Sequence, residues 1–134
     1  LQDYNMRFDQ WSANKVDLSP LERVESVFEI FHLFASDKSK ICPVLALAAD
    51  FQGLAKEIQF EMNAFVDKWL TWLAAQIEEG QAARQIRSDF KPRQLAEIVY
   101  NMGMGSQFQA RIRGLPGLTT FSGKAMVRFL HGDS

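Results

Sequence analysis

The amino-acid sequence predicts an all-α fold, an antiparallel bundle of about six helices. Apolar residues recur at spacings of three and four through nearly every segment, and no stretch alternates apolar and polar residues as a half-buried strand does. Serine, proline and glycine stand where those segments begin and end. The chain has 134 residues, 47% hydrophobic and 23% charged. Residues 1–134 are therefore expected to form one domain with an ordinary core.

Leu1, Tyr4, Phe8 and Trp11 make one stripe of a first helix within residues 1–14, and Asn14, Lys15 and Asp17 read as a loop. Ser19-Pro20-Leu21-Glu22 is a capping box with proline at the first helical position. It opens a helix over 20–36, with Leu21, Val24, Val27, Phe28, Phe31, Phe34 and Ala35 on one arc. Asp37 to Lys40 is a polar connection, and Pro43 starts a short helix that breaks at Gly53. Over 54–79 the apolar residues fill an arc of roughly 160°, wider than one neighbour can cover, so this helix is expected to be central. Gly80 fits the left-handed residue after its end. Residues 81–91 form a polar loop with Ile86 and Phe90 as anchors.

Pro92 begins a helix reaching Arg113, whose stripe moves from Leu95, Ile98, Val99 and Met102 to Met104, Phe108 and Ile112. Two stripes on different faces predict one buried in the core and one against another subunit. Gly103, Gly105 and Ser106 weaken the helix, a cost that close approach of another helix backbone would offset. Gly114-Leu115-Pro116-Gly117 is a turn. Thr119 or Thr120 can cap a last helix carrying Phe121, Ala125, Met126, Phe129 and Leu130, and the tail from His131 to Ser134 is expected to fray.

Fifteen basic side chains against sixteen acidic ones give a net charge of −1. A free-standing nucleic-acid binder is normally basic, so this stretch alone is not expected to bind DNA. No apolar run reaches the ~18 residues of a membrane span, and no positively flanked signal segment opens the chain. The single cysteine, Cys42, excludes an internal disulfide and fits a reducing cytoplasm. The first residue is Leu1 rather than Met, which leads us to expect a preceding segment.

Glu29-x-x-His32 has the spacing of di-iron bundles, but such a site needs a second copy and further carboxylates, and the other histidine, His131, follows an arginine at that spacing. The bland reading, two polar residues on the edge of an amphipathic helix, is the better one. Cys42-Pro43 reads as a small cap residue before a first-turn proline rather than a reactive thiol. Arg84, Arg87, Lys91 and Arg93 form a sparse basic run without aromatic interleaving. There is no phosphate loop, paired-carboxylate signature or nucleophile elbow, so neither an enzyme nor a cofactor is expected.

Phe28, Phe31, Met62, Phe65, Trp69, Trp72 and Met102 fall on inward faces of three helices. Core packing accounts for most of them, yet methionine and aromatic rings also line adaptable apolar pockets. Gln59 and Gln76 fall inside the apolar arc of the long helix, where a buried amide needs backbone, water or a ligand as partner. Phe28, Phe31, Gln59, Met62, Phe65, Trp69 and Met102 are accordingly the candidates for binding a small apolar molecule.

Ile41-Cys42-Pro43-Val44-Leu45-Ala46-Leu47-Ala48-Ala49-Asp50, then Trp69-Leu70-x-x-Leu73, Glu79-Gly80-Gln81-Ala82 and Ile86-Arg87-x-Asp89-x-x-Pro92 before Leu95-Ala96 carry a likeness to a known family. Through them the sequence resembles the C-terminal effector-binding and dimerisation region of TetR-family transcriptional regulators of bacteria, over most of residues 18–130. Relatives often have glycine where this chain has Ile41 and a carboxylate where it has Lys91. The resemblance implies a homodimer formed by the last two long helices, a small, largely apolar effector, and operator DNA reached only through an N-terminal helix-turn-helix domain absent from this stretch. By position it makes Met104, Phe108, Ile112, Phe121, Ala125 and Phe129 the interface candidates. The first helix becomes the connection to the reading head, and the effector is expected among the helices over 20–36, 54–79 and 92–113. It implies a cytoplasmic regulator, a repressor by preference, with no membrane. The rival readings are a stand-alone carrier of apolar molecules, a pure oligomerisation domain, and a bundle enzyme using Glu29 and His32.

Overall fold

In a computed structural model, residues 2–37 and 42–132 are described. They form α1 (Gln2–Ala13), α2 (Pro20–Ser36), α3 (Pro43–Ala48), α4 (Lys56–Ala82), α5 (Pro92–Arg113) and α6 (Gly117–His131), with a 3-10 turn at Phe51–Gly53. Leu1 of the first stripe, the connection 38–40, Ile41 and the last two residues of the tail lie outside the described residues.

The capping box opens α2 as its residue types dictate. The Glu22 N–H donates to Ser19 Oγ at 3.2 Å, and the Ser19 N–H donates to Glu22 Oε1 at 3.1 Å. At the start of α5 the Lys91 N–H donates to Gln94 Oε1 at 2.9 Å, half of the same device.

Helix α4 does not stop before Gly80. It runs on to Ala82, and the left-handed residue is Arg84 at φ 60°. The Arg84 N–H donates to the Gln81 carbonyl at 3.1 Å and the Gln85 N–H to the Gly80 carbonyl at 2.8 Å, a Schellman ending on a non-glycine residue. Gly80 has a packing role instead, because a Cβ there would overlap the Ile86 side chain and crowd Pro20. Ile86 is the buried anchor expected of the loop. Phe90 is not, being exposed with the Arg87 guanidinium 5.4 Å from its ring centre.

Helix α6 begins at Gly117, ahead of the two threonines. Thr119 lies inside the first turn, fully buried, and its hydroxyl donates to the Pro116 carbonyl at 2.9 Å. For Gly103 the expectation of a close helix backbone also needs correcting. Gly103 makes room for the ring of Phe31 rather than for a backbone, and a Cβ on Gly105 would meet nothing.

Helices α2 and α5 share the centre, α2 packing on α4, α5 and α6 and α5 on α2, α4 and α6. The wide apolar arc of α4 is divided among α5, α2 and the rings of α1, more than one neighbour as expected. The core gathers Val24, Val27, Phe28 and Phe31 of α2, Leu73 and Ile77 of α4, Leu95 and Val99 of α5, and Met126 and Leu130 of α6. Helix α1 joins mainly through ring contacts, with Phe8 its one buried hydrophobic residue among the described residues. No helix of the described residues is long and apolar enough to cross a membrane.

Candidate functional site

The spacing of Tyr4, Phe8 and Trp11 turns the three rings of α1 toward α2 and α4. Phe8 meets Trp69 edge-on at 4.6 Å between ring centres, and Trp11 lies 5.6 Å from Trp69 and 5.1 Å from Trp72. On the other side Phe31 stacks on Trp69 at 6.2 Å and meets the edge of Tyr100 at the same separation. Such pairs contribute roughly 0.5–1.5 kcal/mol each beyond area burial, enough to hold a helix that makes few backbone approaches. Polar ties add to them. Lys68 Nζ lies 2.7 Å from Asp9 Oδ1. Arg23 donates to the carbonyls of Lys15 and Val16 and to Gln76 Oε1 and Glu79 Oε2, binding the α1–α2 connection to α4.

Rings cannot fill this space completely, and a cavity of about 220 Å³ remains. Tyr4, Arg7, Phe8 and Trp11 of α1 wall one side and Ile30, Phe31, Leu33 and Phe34 of α2 another, with Cys42, Phe65, Trp69 and Tyr100 completing it. Arg7 and Leu33 are exposed and form the rim, whereas Cys42 and Tyr100 are buried at the inner end. An apolar cavity of roughly 150 Å³ is enough to hold benzene, so this one accepts a substituted ring.

Electrostatically the inner end is neutral. Burial pushes the Cys42 thiol up, with the N–H groups of Leu45 and Val44 and the Gln107 amide partly offsetting it. Burial first, then the neighbouring Cys42, pushes the Tyr100 phenol up as well. Both keep their protons at neutral pH. Arg7 at the rim is paired with Asp3 at 3.1 Å. No carboxylate or imidazole is among the described lining residues.

Three of the seven sequence candidates, Phe31, Phe65 and Trp69, line this cavity. Phe28 faces α6 instead, its Cβ filling the space left by Gly123. Met62 is buried in the core away from the cavity, and Met102, expected to point inward, is 39% exposed. Gln59 donates to the carbonyls of Phe51 and Leu54, both at 3.0 Å, and so ties the 3-10 turn to α4. Gln76 accepts from Arg23 and donates to the Trp72 carbonyl, so both amides of the apolar arc are occupied within the protein. The cavity lies toward α1, whose four lining residues belong to the helix that sequence reasoning assigned to a connector. Their own spacing was the available signal.

Of the interface candidates, Phe108, Ile112, Phe121 and Phe129 are exposed, and Met104 and Ala125 are half-buried. Leu115, in the turn between α5 and α6, is exposed as well. Phe129 also carries the Arg87 guanidinium 4.4 Å from its ring centre. His32 Nδ1 lies 2.9 Å from the Pro116 carbonyl and 3.0 Å from Thr119 Oγ1, so it joins α2 to the start of α6. Among the described residues no group of three or more histidine, cysteine or acidic side chains is placed to hold a metal.

A helical bundle with an aromatic cavity under its first helix and apolar residues exposed on its last two can be compared with known proteins. In the solved structures, a TetR transcriptional regulator from Chloroflexus aurantiacus J-10-FL matches with a TM-score of 0.72 and 17% identity. The match covers 90% of this chain and 67% of that one, and it shows the shared fold. None of the curated proteins matches the sequence. Residues 20–122 match the family described as tetracyclin repressor-like, C-terminal domain. The match spans α2 through the first part of α6 and leaves α1 outside it. The chain belongs to the tetracyclin repressor-like C-terminal domain family, a family of transcription regulators rather than enzymes.

Proposed function

We propose that this chain is the ligand-sensing and dimerisation domain of a TetR-type transcriptional repressor, answering to a small, largely apolar effector. The observation that carries the reading is the cavity between α1 and the α2–α4 pair, lined by rings and neutral at its inner end. Family membership supports the regulatory role. In this reading the protein works in the bacterial cytoplasm as a homodimer. It touches DNA only through an N-terminal helix-turn-helix domain joined to α1, and it needs neither cofactor nor membrane. The dimer face is Phe108, Ile112, Phe121 and Phe129 with the half-buried Met104 and Ala125.

The mechanism is a population shift. Operator half-sites lie about one helical turn, ~34–36 Å, apart, so a small rotation of two reading heads breaks simultaneous contact. A ligand under α1 favours one placement of that helix over the other. Moving the equilibrium from 1:99 to 99:1 takes about 5.5 kcal/mol of differential binding.

The test is a thermal-shift screen with a panel of one- and two-ring apolar compounds. A bound ligand at about a hundred times its Kd adds about 2.7 kcal/mol of stability, and hits should also perturb the emission of Trp11 and Trp69. A panel without a single hit removes the sensor reading and leaves an oligomerisation domain.

A further inference from the structure

The inner end of the cavity has a chemistry its walls do not. Tyr100 is 6% exposed, lines the cavity and makes no hydrogen bond to another described residue. No fully buried side-chain nitrogen or oxygen of the described residues lacks a partner, so the Tyr100 oxygen is still reachable by water, and a ligand acceptor that meets it takes that water's place. The neighbouring group offers little instead. The Cys42 thiol faces the N–H groups at the start of α3 and the Gln107 amide, which are donors like the phenol itself. Among the described lining residues Arg7 is the one with a charge, and it is exposed, whereas Cys42 and Tyr100 are buried.

Resting on the sensor reading above, we propose that the ligand is an uncharged ring compound bearing a carbonyl-type hydrogen-bond acceptor, held by the Tyr100 hydroxyl at the buried end of the cavity. The rings of Phe31, Phe65 and Trp69 take the ligand's flat apolar body. The Tyr100 O–H donates to the acceptor oxygen, the hydrogen bond that the folded protein does not supply. An ionised group at that position is disfavoured, because no described lining residue there compensates its desolvation. Tyr100 is thereby a specificity residue: it separates a ketone, ester or amide from a hydrocarbon of the same shape.

Acetophenone and cumene test this, being one-ring probes of nearly equal shape with and without the carbonyl. Calorimetric titration of the wild-type chain and of Tyr100→Phe gives four affinities. The variant should lose about tenfold for acetophenone and less than twofold for cumene, since only the ketone loses a donor. Its melting temperature should match or exceed that of the wild type, because the hydroxyl has no partner in the protein to lose. Equal losses for both probes, or no loss for either, overturn the assignment of Tyr100 while leaving the cavity as a binding site. Failure of acetophenone to bind the wild-type chain overturns this inference, while the sensor reading stands or falls with the whole panel. A marked fall in the melting temperature of Tyr100→Phe assigns the hydroxyl a structural role and overturns the inference alone.

Discussion

Arg84 holds a backbone conformation that its side chain disfavours. The left-handed region costs a non-glycine residue about 1–2 kcal/mol through contact between Cβ and the following carbonyl oxygen. The chain adopts it because the two Schellman hydrogen bonds close α4 and turn Ile86 back onto Gly80. Arg84→Gly should therefore stabilise the protein by about 1 kcal/mol and raise the melting midpoint by about 3–5 °C at fixed concentration. An unchanged or lower midpoint would remove the idea of strain at this turn. Sequence reasoning placed the turn correctly to within a few residues but gave the left-handed role to Gly80. Glycine fits two physical demands, positive φ and missing volume, and composition alone does not say which one is operating.

For a whole element, α1 shows how packing depends on a few side chains. Its residues are mostly exposed, and its attachment runs through Phe8 and the rings of Trp11, Trp69 and Trp72. Phe8→Ala should cost about 3 kcal/mol and empty the middle of that cluster. The expected readouts are a red-shifted tryptophan emission and faster amide exchange confined to α1, with the α2, α4, α5 and α6 amides still protected. Uniform loss of protection would mean instead that α1 is integral to the bundle. The stripe of α1 was legible from its spacing, whereas its partners were not. An amphipathic helix announces that it has a face to bury and leaves the identity of the covering surface to the tertiary fold.

The whole molecule presents a neutral-floored cavity at one place and exposed apolar residues on α5 and α6 at another. Ile112 and Phe121 are each 67% exposed, far from the burial expected of such side chains in a finished assembly. In the proposed dimer these two are covered by the partner. Ile112→Asp combined with Phe121→Asp should halve the weight-average mass in sedimentation equilibrium, and should abolish the concentration dependence of the melting temperature. A wild-type chain that sediments as a monomer at high concentration would refute the dimer. Charge bears on the same scale: a net charge of −1 leaves little general attraction for a polyanion, so DNA contact in this proposal belongs to a separate basic head.

Local chemistry decided the helices. Capping serine, first-turn prolines and the three-and-four spacing of apolar residues are short-range signals, and they locate α2 and α5 to the residue and the others within a few positions. The order of those helices was enough to suggest the family. Which rings share a cavity was decided only by the tertiary structure. Phe31 and Trp69 meet Tyr100, while Phe28 on the same helix is turned to Gly123 and Met102 to the surface. The reason is geometric. Periodicity records how far around its own axis a residue lies, but a pocket exists where several axes cross, and the crossing is set by long-range packing that no single segment encodes.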